Sequence, residues 1–316
     1  MSFRIEEWEL PVAGLRRAVL EQIGRAEEKL SPRELEGDPA KAVHEARKAI
    51  KRARSGLRLG RAAFGRKAVR AELSALRDAA GRLSSARDAE VARALLRDVA
   101  AQGVGRLPAA SWQHFEQALD GRAETDGPGP ALTRHAELAS EELAAVRGRI
   151  EVWSPDGEGG FAPVLAGLAR GQKRGQRALR AALRGNDDPD ARHELRKRVK
   201  DAWYQLELLE GLWPAVLDAQ ADEAHRLSGL LGDEHDLTVL AALLERIEGV
   251  PDDPAPALEL IAHRREELWA EALPLAGRLY AEKPKALVAR LGAYGKASRS
   301  GSTSSSAGTG SPTTLV

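Results

Sequence analysis

The chain has 316 residues, 48 Lys/Arg against 47 Asp/Glu, no Cys, one Met and 4% aromatics. This length and a 43% hydrophobic content suit one large or two smaller globular domains that bury their own cores. No apolar run reaches the roughly 18 residues of a membrane span, and the lack of Cys excludes disulfides, thiolate metal sites and cysteine nucleophiles.

Taken in chain order, nearly every stretch predicts helix, because Ala, Leu, Arg and Glu dominate and no alternating strand pattern persists. The first residues, MSFRIEEWELPV, carry acids where a secretory signal is apolar, so a reducing cytoplasm is the expected compartment. Breakers at 31–40, 103–108, 126–130, 154–160, 185–190 and 249–256 separate about ten to twelve amphipathic segments. Two of these open on Asp-Pro, at Asp38-Pro39 and Asp188-Pro189, the pairing expected at a helix N-terminus. From Lys296 to Val316 the Gly/Ser/Thr-rich sequence cannot bury a core and is expected to be a disordered tail.

The near-neutral total conceals a segregated pattern. Residues 41–70 hold eleven Lys/Arg and one acid, Glu45, while 161–186 hold six Lys/Arg and no acid. Residues 218–260 reverse this, with eleven acids against Arg226 and Arg246. A concentrated basic site on an otherwise acidic body fits these counts, and such a body repels nonspecific contact with nucleic acid.

An internal repeat is the main organisational feature. AVHEARKAIKRARSGLRL (42–59) aligns with ARHELRKRVKDAWYQLEL (191–208) at an offset of 149 residues. LRDAAGRLSSARDAEVARALL (76–96) aligns with AHRLSGLLGDEHDLTVLAALL (224–244) at 148, matching Leu83, Asp88 and Val91 to Leu231, Asp236 and Val239. Two matches in one order predict duplicated halves, about 1–150 and 158–295.

On a helical projection, Arg47, Lys48, Lys51, Ser55 and Arg58 fall within about 60° of His44, and an apolar stripe lies opposite. The second copy places His193, Arg196, Lys197, Lys200 and Tyr204 on one face. Each histidine thus sits among cations and away from the stripe. An imidazole there hydrogen-bonds an anion, and protonation below about pH 6.5 is expected to add attraction. A third basic arc in 161–184 carries Arg170, Arg174 and Arg177, whereas its counterpart at 11–30 mixes Arg16, Arg17 and Arg25 with Glu21, Glu27 and Glu28. Pairing of the basic faces with the acidic helices of 218–236 is the plain structural alternative. Arg forks and Lys point charges match phosphate oxygens, while scattered aromatics make poor stacking platforms for single-stranded bases.

Other chemistries fit less well. His-Glu-x-x-His is not formed, because Lys48 or Lys197 stands in the fifth position. The run Gly232-Asp233-Glu234-His235-Asp236 reads as a helix start or, less readily, a metal site. No Walker A loop, dinucleotide loop or G-x-S-x-G is present. No cofactor or metal is therefore expected.

The segments VHEARKAIKRARS (43–55), HELRKRVK (193–200) and LSGLLGDEHDLTVL (227–240) resemble the CHAD domain, an α-helical domain named for its histidines. The resemblance spans about 1–295 and implies an all-α fold of two helical bundles related by pseudo-twofold symmetry. It implies binding of inorganic polyphosphate on a basic surface between them. By that pattern His44, Arg47, Lys48, Lys51, His193, Arg196, Lys197 and Lys200 carry over as binding residues, and this chain looks like a stand-alone member. Two departures are that SSARDAEV (84–91) lacks the Gly-Asp of its partner block and that Arg192 replaces the small apolar residue at Val43.

The expected function is therefore non-enzymatic polyphosphate binding in the cytoplasm, in the range of polyphosphate granules, without membrane contact. The duplicated helices, Arg58, Tyr204 and the 161–184 arc are its expected site. A nucleic-acid-binding helical module is the alternative, and a metal-dependent polyphosphate or phosphate-ester hydrolase is a third reading, resting on 232–236 alone.

Overall fold

A computed structural model describes residues 3–83, 85–103, 107–126, 130–154, 160–185, 187–247 and 253–304. Among the described residues there are twelve α-helices and no strand. They are α1 (Pro11–Lys29), α2 (Pro32–Gly37), α3 (Pro39–Leu59), α4 (Arg66–Arg82), α5 (Ser85–Gln102), α6 (Ala109–Asp126) and α7 (Pro130–Glu151). The series continues with α8 (Ala162–Arg184), α9 (Pro189–Leu209), α10 (Pro214–Leu244), α11 (Ala255–Leu279) and α12 (Pro284–Ser304).

The two repeated helices start as their sequences predict. The Asp38 carboxylate accepts the Lys41 backbone N–H at 3.0 Å, and Asp188 accepts those of Asp190 and Ala191 at 2.9 and 3.3 Å. Each cap is followed by proline at the first helical position, where the missing N–H has no intrahelical partner to lose. Both helices end in a single 3₁₀ turn, at Gly60–Ala62 and Glu210–Leu212.

The order of elements recurs along the chain. A long helix, a basic helix and a 3₁₀ turn lead to α4 and α5 in the first half and to the unbroken 31-residue α10 in the second. Two further helices close each half. Leu83 and Leu231, paired in the repeat, are both about 1% exposed; the side chains of Asp88 and Val91 lie outside the described residues.

Three apolar clusters hold the helices together, and all three draw on packing that ignores the linear order. The largest joins α1, α3, α4 and α7 to parts of α8, α9, α10 and α12. A second packs α5 and α6 against α10 and α11, across the midpoint of the chain. The third is formed by α8, α9, α10 and α11. The stripes read from the sequence are the buried ones: Val43, Ala46, Ala49, Ile50, Ala53 and Leu57 on α3, with Leu195, Val199 and Leu206 on α9.

Three local features differ from the sequence reading. The breaker at 31–40 contains the short helix α2. Gly232–Asp236 lies inside α10 and starts no helix. Helix α12 runs through Ser304, so the boundary expected at Lys296 falls within a helix anchored by buried Leu287 and Leu291, whose propagation adds one hydrogen bond per residue. Residues 305–316 lie outside the described residues.

Arg192, the departure from the repeat, is 3% exposed and belongs to a charge network between α9, α10 and α11. It reaches Asp187 at 3.0 Å, Glu234 at 3.2 Å and Glu266 at 2.8 Å, and stacks over Trp269. Arg265 binds the same Glu234 at 2.9 Å. A larger, charged residue is accommodated because acids from three directions neutralise it.

Glycine sets one close approach. At Gly167 an added Cβ would collide with the backbone carbonyl of Leu59, where α8 crosses the end of α3. Gly167→Ala is expected to lower stability by about 2 kcal/mol in chemical denaturation, because backbone cannot yield as a side chain does. Gly148→Ala, where a Cβ meets nothing within 4 Å, is expected to raise it by about 0.5–1 kcal/mol through helix propensity.

Candidate functional site

The basic faces of α3 and α9 open on one shared cavity of about 1260 Å³, which α1, α4 and α10 also line. From α3 it receives His44, Arg47, Lys48, Lys51, Arg52, Arg54 and Arg58; from α9, His193, Arg196, Lys197, Arg198 and Lys200. Twelve Lys/Arg and eight Asp/Glu side chains line it among the described residues.

The two helices are tied together by interactions that offset the repulsion of their cations. Arg58 donates to the Asp201 carboxylate at 2.7 Å, and Arg198 stands 3.2 Å from its other oxygen. Ser55, buried rather than facing the cavity, donates to the Asp201 backbone carbonyl at 3.0 Å. Arg52 bonds Glu207 at 3.0 Å and lies over the rings of Phe3 and Tyr204. Burial pushes the Glu207 carboxyl above its ordinary range, against the pull of Arg52.

Some buried polar atoms of other residues that line the cavity lack such partners. The Nε atoms of Arg54 and Arg196, His193 Nδ1 and Gln22 Oε1 are buried and accept or donate no hydrogen bond within the chain. Burial, and then Arg58, depress the Arg54 guanidinium to about 10. The Lys, Arg and His side chains that line this one space can bind several oxygens of a multivalent anion at once.

The histidines take unequal positions. The His193 ring stacks on His235 of α10, with centroids 4.1 Å apart. Burial first, and then neighbouring charge, lower both to about 4; for His193 that charge is His235, Lys197 and Arg196, and for His235 it is Arg196 and Lys197. The expectation that protonation near pH 6.5 would add attraction is thereby corrected for His193, since half-burial among cations disfavours the imidazolium. His44 lies half-buried on the opposing helix, with Glu45 at 3.9 Å.

Ten of the thirteen residues singled out in the sequence meet here: His44, Arg47, Lys48, Lys51, Arg58, His193, Arg196, Lys197, Lys200 and Tyr204. Tyr204 does so only from beneath. It is 1% exposed and packs on Phe3 and Trp203, so its role is the floor rather than a ligand arm. Arg170, Arg174 and Arg177 do not line the cavity. Helix α8 turns its small residues toward α3 and α9, which leaves these three exposed on its outer side.

Sequence reasoning missed Arg25, Arg52, Arg54, Arg77 and Arg198. Arg54 lies about 80° from His44 on the helix, just beyond the face as drawn. Arg25 and Gln22 arrive from α1, a contribution that required the packing of α1 on α3. The acidic segment named as the alternative partner of the basic face lines the same cavity, where α10 supplies Asp218, Asp222, Asp233 and Asp236. Burial and Asp236 raise the Asp233 carboxyl. Among the described residues no three His, Asp or Glu side chains stand at metal-binding spacing, and no helix is long and apolar enough to cross a membrane.

The histidine pair makes stability depend on pH. Its folded pKa lies below the unfolded value near 6.5, so the unfolded chain binds more protons between about pH 4 and 6.5 and stability falls as pH drops through that window. Thermal denaturation across that range is expected to show the fall, and H193Q/H235Q is expected to flatten it. An unchanged slope in the double variant would assign the effect to other groups.

The CHAD domain family model matches residues 17–245, from α1 to the end of α10. Among solved structures the chain is similar to PptA from Streptomyces chartreusis, at 16% identity and a TM-score of 0.57, covering 86% of this chain and 96% of that one. A CHAD domain from the plant Ricinus communis aligns at 21% identity and a TM-score of 0.47, covering 92% and 93%. Comparison with curated proteins finds no significant match. With its family model covering most of the sequence, from the first repeated helix through the second, the chain belongs to the CHAD domain family.

Proposed function

We propose that the protein binds inorganic polyphosphate in the α3–α9 cavity without transforming it. The observation that carries this reading is the convergence of the two basic helix faces on one space, lined by twelve Lys/Arg side chains among the described residues. A linear polyanion offers oxygens at short, regular intervals and can satisfy many such donors in succession. Recognition rests on phosphate contacts, which need no base stacking. The two tryptophan-bearing stacks nearby, Trp203 on Tyr204 and Trp203 on His225, are occupied with each other.

The acids of α10 shape what is held. They line the same cavity as the cations, with Asp233 in the field of Arg196, and repel an anion that strays from the basic side chains. A flexible, narrow chain follows the α3–α9 wall more readily than a wide, rigid duplex. This favours polyphosphate over double-stranded nucleic acid, and association with polyphosphate granules is the corresponding location.

Titration of long-chain polyphosphate, duplex DNA and RNA at several salt concentrations tests the reading. Polyphosphate is expected to bind most tightly, with log affinity falling linearly in log salt. Simultaneous charge reversal of Arg47, Lys48, Arg196 and Lys197 is expected to abolish binding while leaving helicity by circular dichroism intact. Unchanged affinity in that variant overturns the site, and equal affinity for all three polymers reduces it to general polyanion attraction. Phosphate release on adding magnesium would establish a hydrolase instead.

A further inference from the structure

The outer side of α8 carries a second basic face. Arg170, Lys173, Arg174 and Arg177 are exposed along it, and Ala162–Arg184 contains no acid. No carboxylate is hydrogen-bonded to any of these four among the described residues. This distinguishes α8 from α1, its counterpart in element order, where Arg17 is held by Glu9 at 2.6 Å and Glu21 at 2.9 Å. Arg17 of α1 is neutralised within the fold, whereas these four cations of α8 are exposed.

This face approaches the cavity through the buried carboxylate of Asp201. Asp201 is the joint: it lines the cavity, bonds Arg58 of the cavity wall, and lies within the field of Arg174. Burial pushes its carboxyl up while Arg58, Arg174 and Arg54 pull it down. Farther along, Arg170 is crowded by Arg61 and Arg66 at the junction of α3 and α4; burial and then those two cations depress it. The crossing of α8 over the end of α3, fixed at Gly167 against Leu59, brings these groups together. From Arg170 to Arg177 the helix rises by about 10 Å, so the face adds length rather than a single contact.

We infer that the outer face of α8, with Arg61 and Arg66, is an exit track on which a polyphosphate chain too long for the cavity continues past Arg58. The inference rests on the proposed binding in the cavity and adds a dependence on chain length. Short oligophosphates are held by the α3–α9 wall alone. Longer chains gain further contacts outside it, and cations that repel one another in the free protein are neutralised as counterions are displaced.

The test compares R170E/R174E/R177E with the wild type, using tripolyphosphate at low salt and long-chain polyphosphate across a salt series. All three substituted side chains are exposed, so melting temperature and helicity serve as controls. The variant is expected to bind tripolyphosphate as the wild type does. Its affinity for long chains is expected to fall about tenfold or more, and its log–log salt slope to shrink by about 2. Unchanged long-chain affinity and slope overturn the track. A parallel loss for both ligands also overturns it, since the arc would then act on the cavity itself. Wild-type protein that binds neither ligand defeats the cavity reading directly, before any variant is compared. Duplex DNA that loses affinity in the variant while long-chain polyphosphate does not would give this face to nucleic acid and overturn the proposal.

Discussion

The structure depends on holding two like-charged helices against each other. Two cations about 8 Å apart repel by about 2 kcal/mol at an effective dielectric near 20, comparable to the gain from burying one large aliphatic side chain. A cavity with this many cations therefore needs several buried residues behind each face. It also needs acids placed between the faces rather than beyond them. Both are present: the apolar stripes of α3 and α9 are buried, and Asp201 and Glu207 reach across to Arg58 and Arg52. Removing either acid would leave its guanidinium facing the others without compensation, so these carboxylates belong to the construction of the basic site as much as its cations do.

How much of this was legible beforehand follows from which interactions are local. Helix type, the Asp-Pro starts and the buried stripes are set within a few turns, and residue periodicity exposes them. The faces of α3 and α9 were readable for the same reason. Their convergence was not, because it arises from the packing of separate helices, and neither the approach of α1 with Arg25 nor the acidic wall of α10 has a local signature. The placement of Arg170, Arg174 and Arg177 outside the cavity was hidden for the same reason. An amphipathic projection identifies which residues share a face but not what that face meets. Small residues on the other side of α8, Gly167 and Gly175 among them, allow close approach to Leu59 and Tyr280, and that approach sends the arginines outward.

The two halves of the chain share an order of elements while differing in electrostatic use. In α1, Arg17 is spent on internal ion pairs with Glu9 and Glu21, while Arg25 lines the cavity. In α8, Arg170, Arg174 and Arg177 are exposed. In α9, Arg192 is drawn into a buried network with Glu234, Asp187 and Glu266, whereas the corresponding position in α3 is the buried Val43. Places that correspond in the order of elements thus carry different charge. Net charge, summed over all of this, carries no information about where an anion would bind.

The buried nitrogens of Arg54, Arg196 and His193 that meet no partner within the chain have an effect beyond recognition. A desolvated polar group left unmatched lowers stability by about 1–3 kcal/mol, against a total of about 5–15 kcal/mol for a folded domain. An anion bound in the cavity would offset such a loss by mass action: a ligand at a hundred times its dissociation constant stabilises the native state by about 2.7 kcal/mol. Chains that had found the anion would then resist proteases longer than chains that had not.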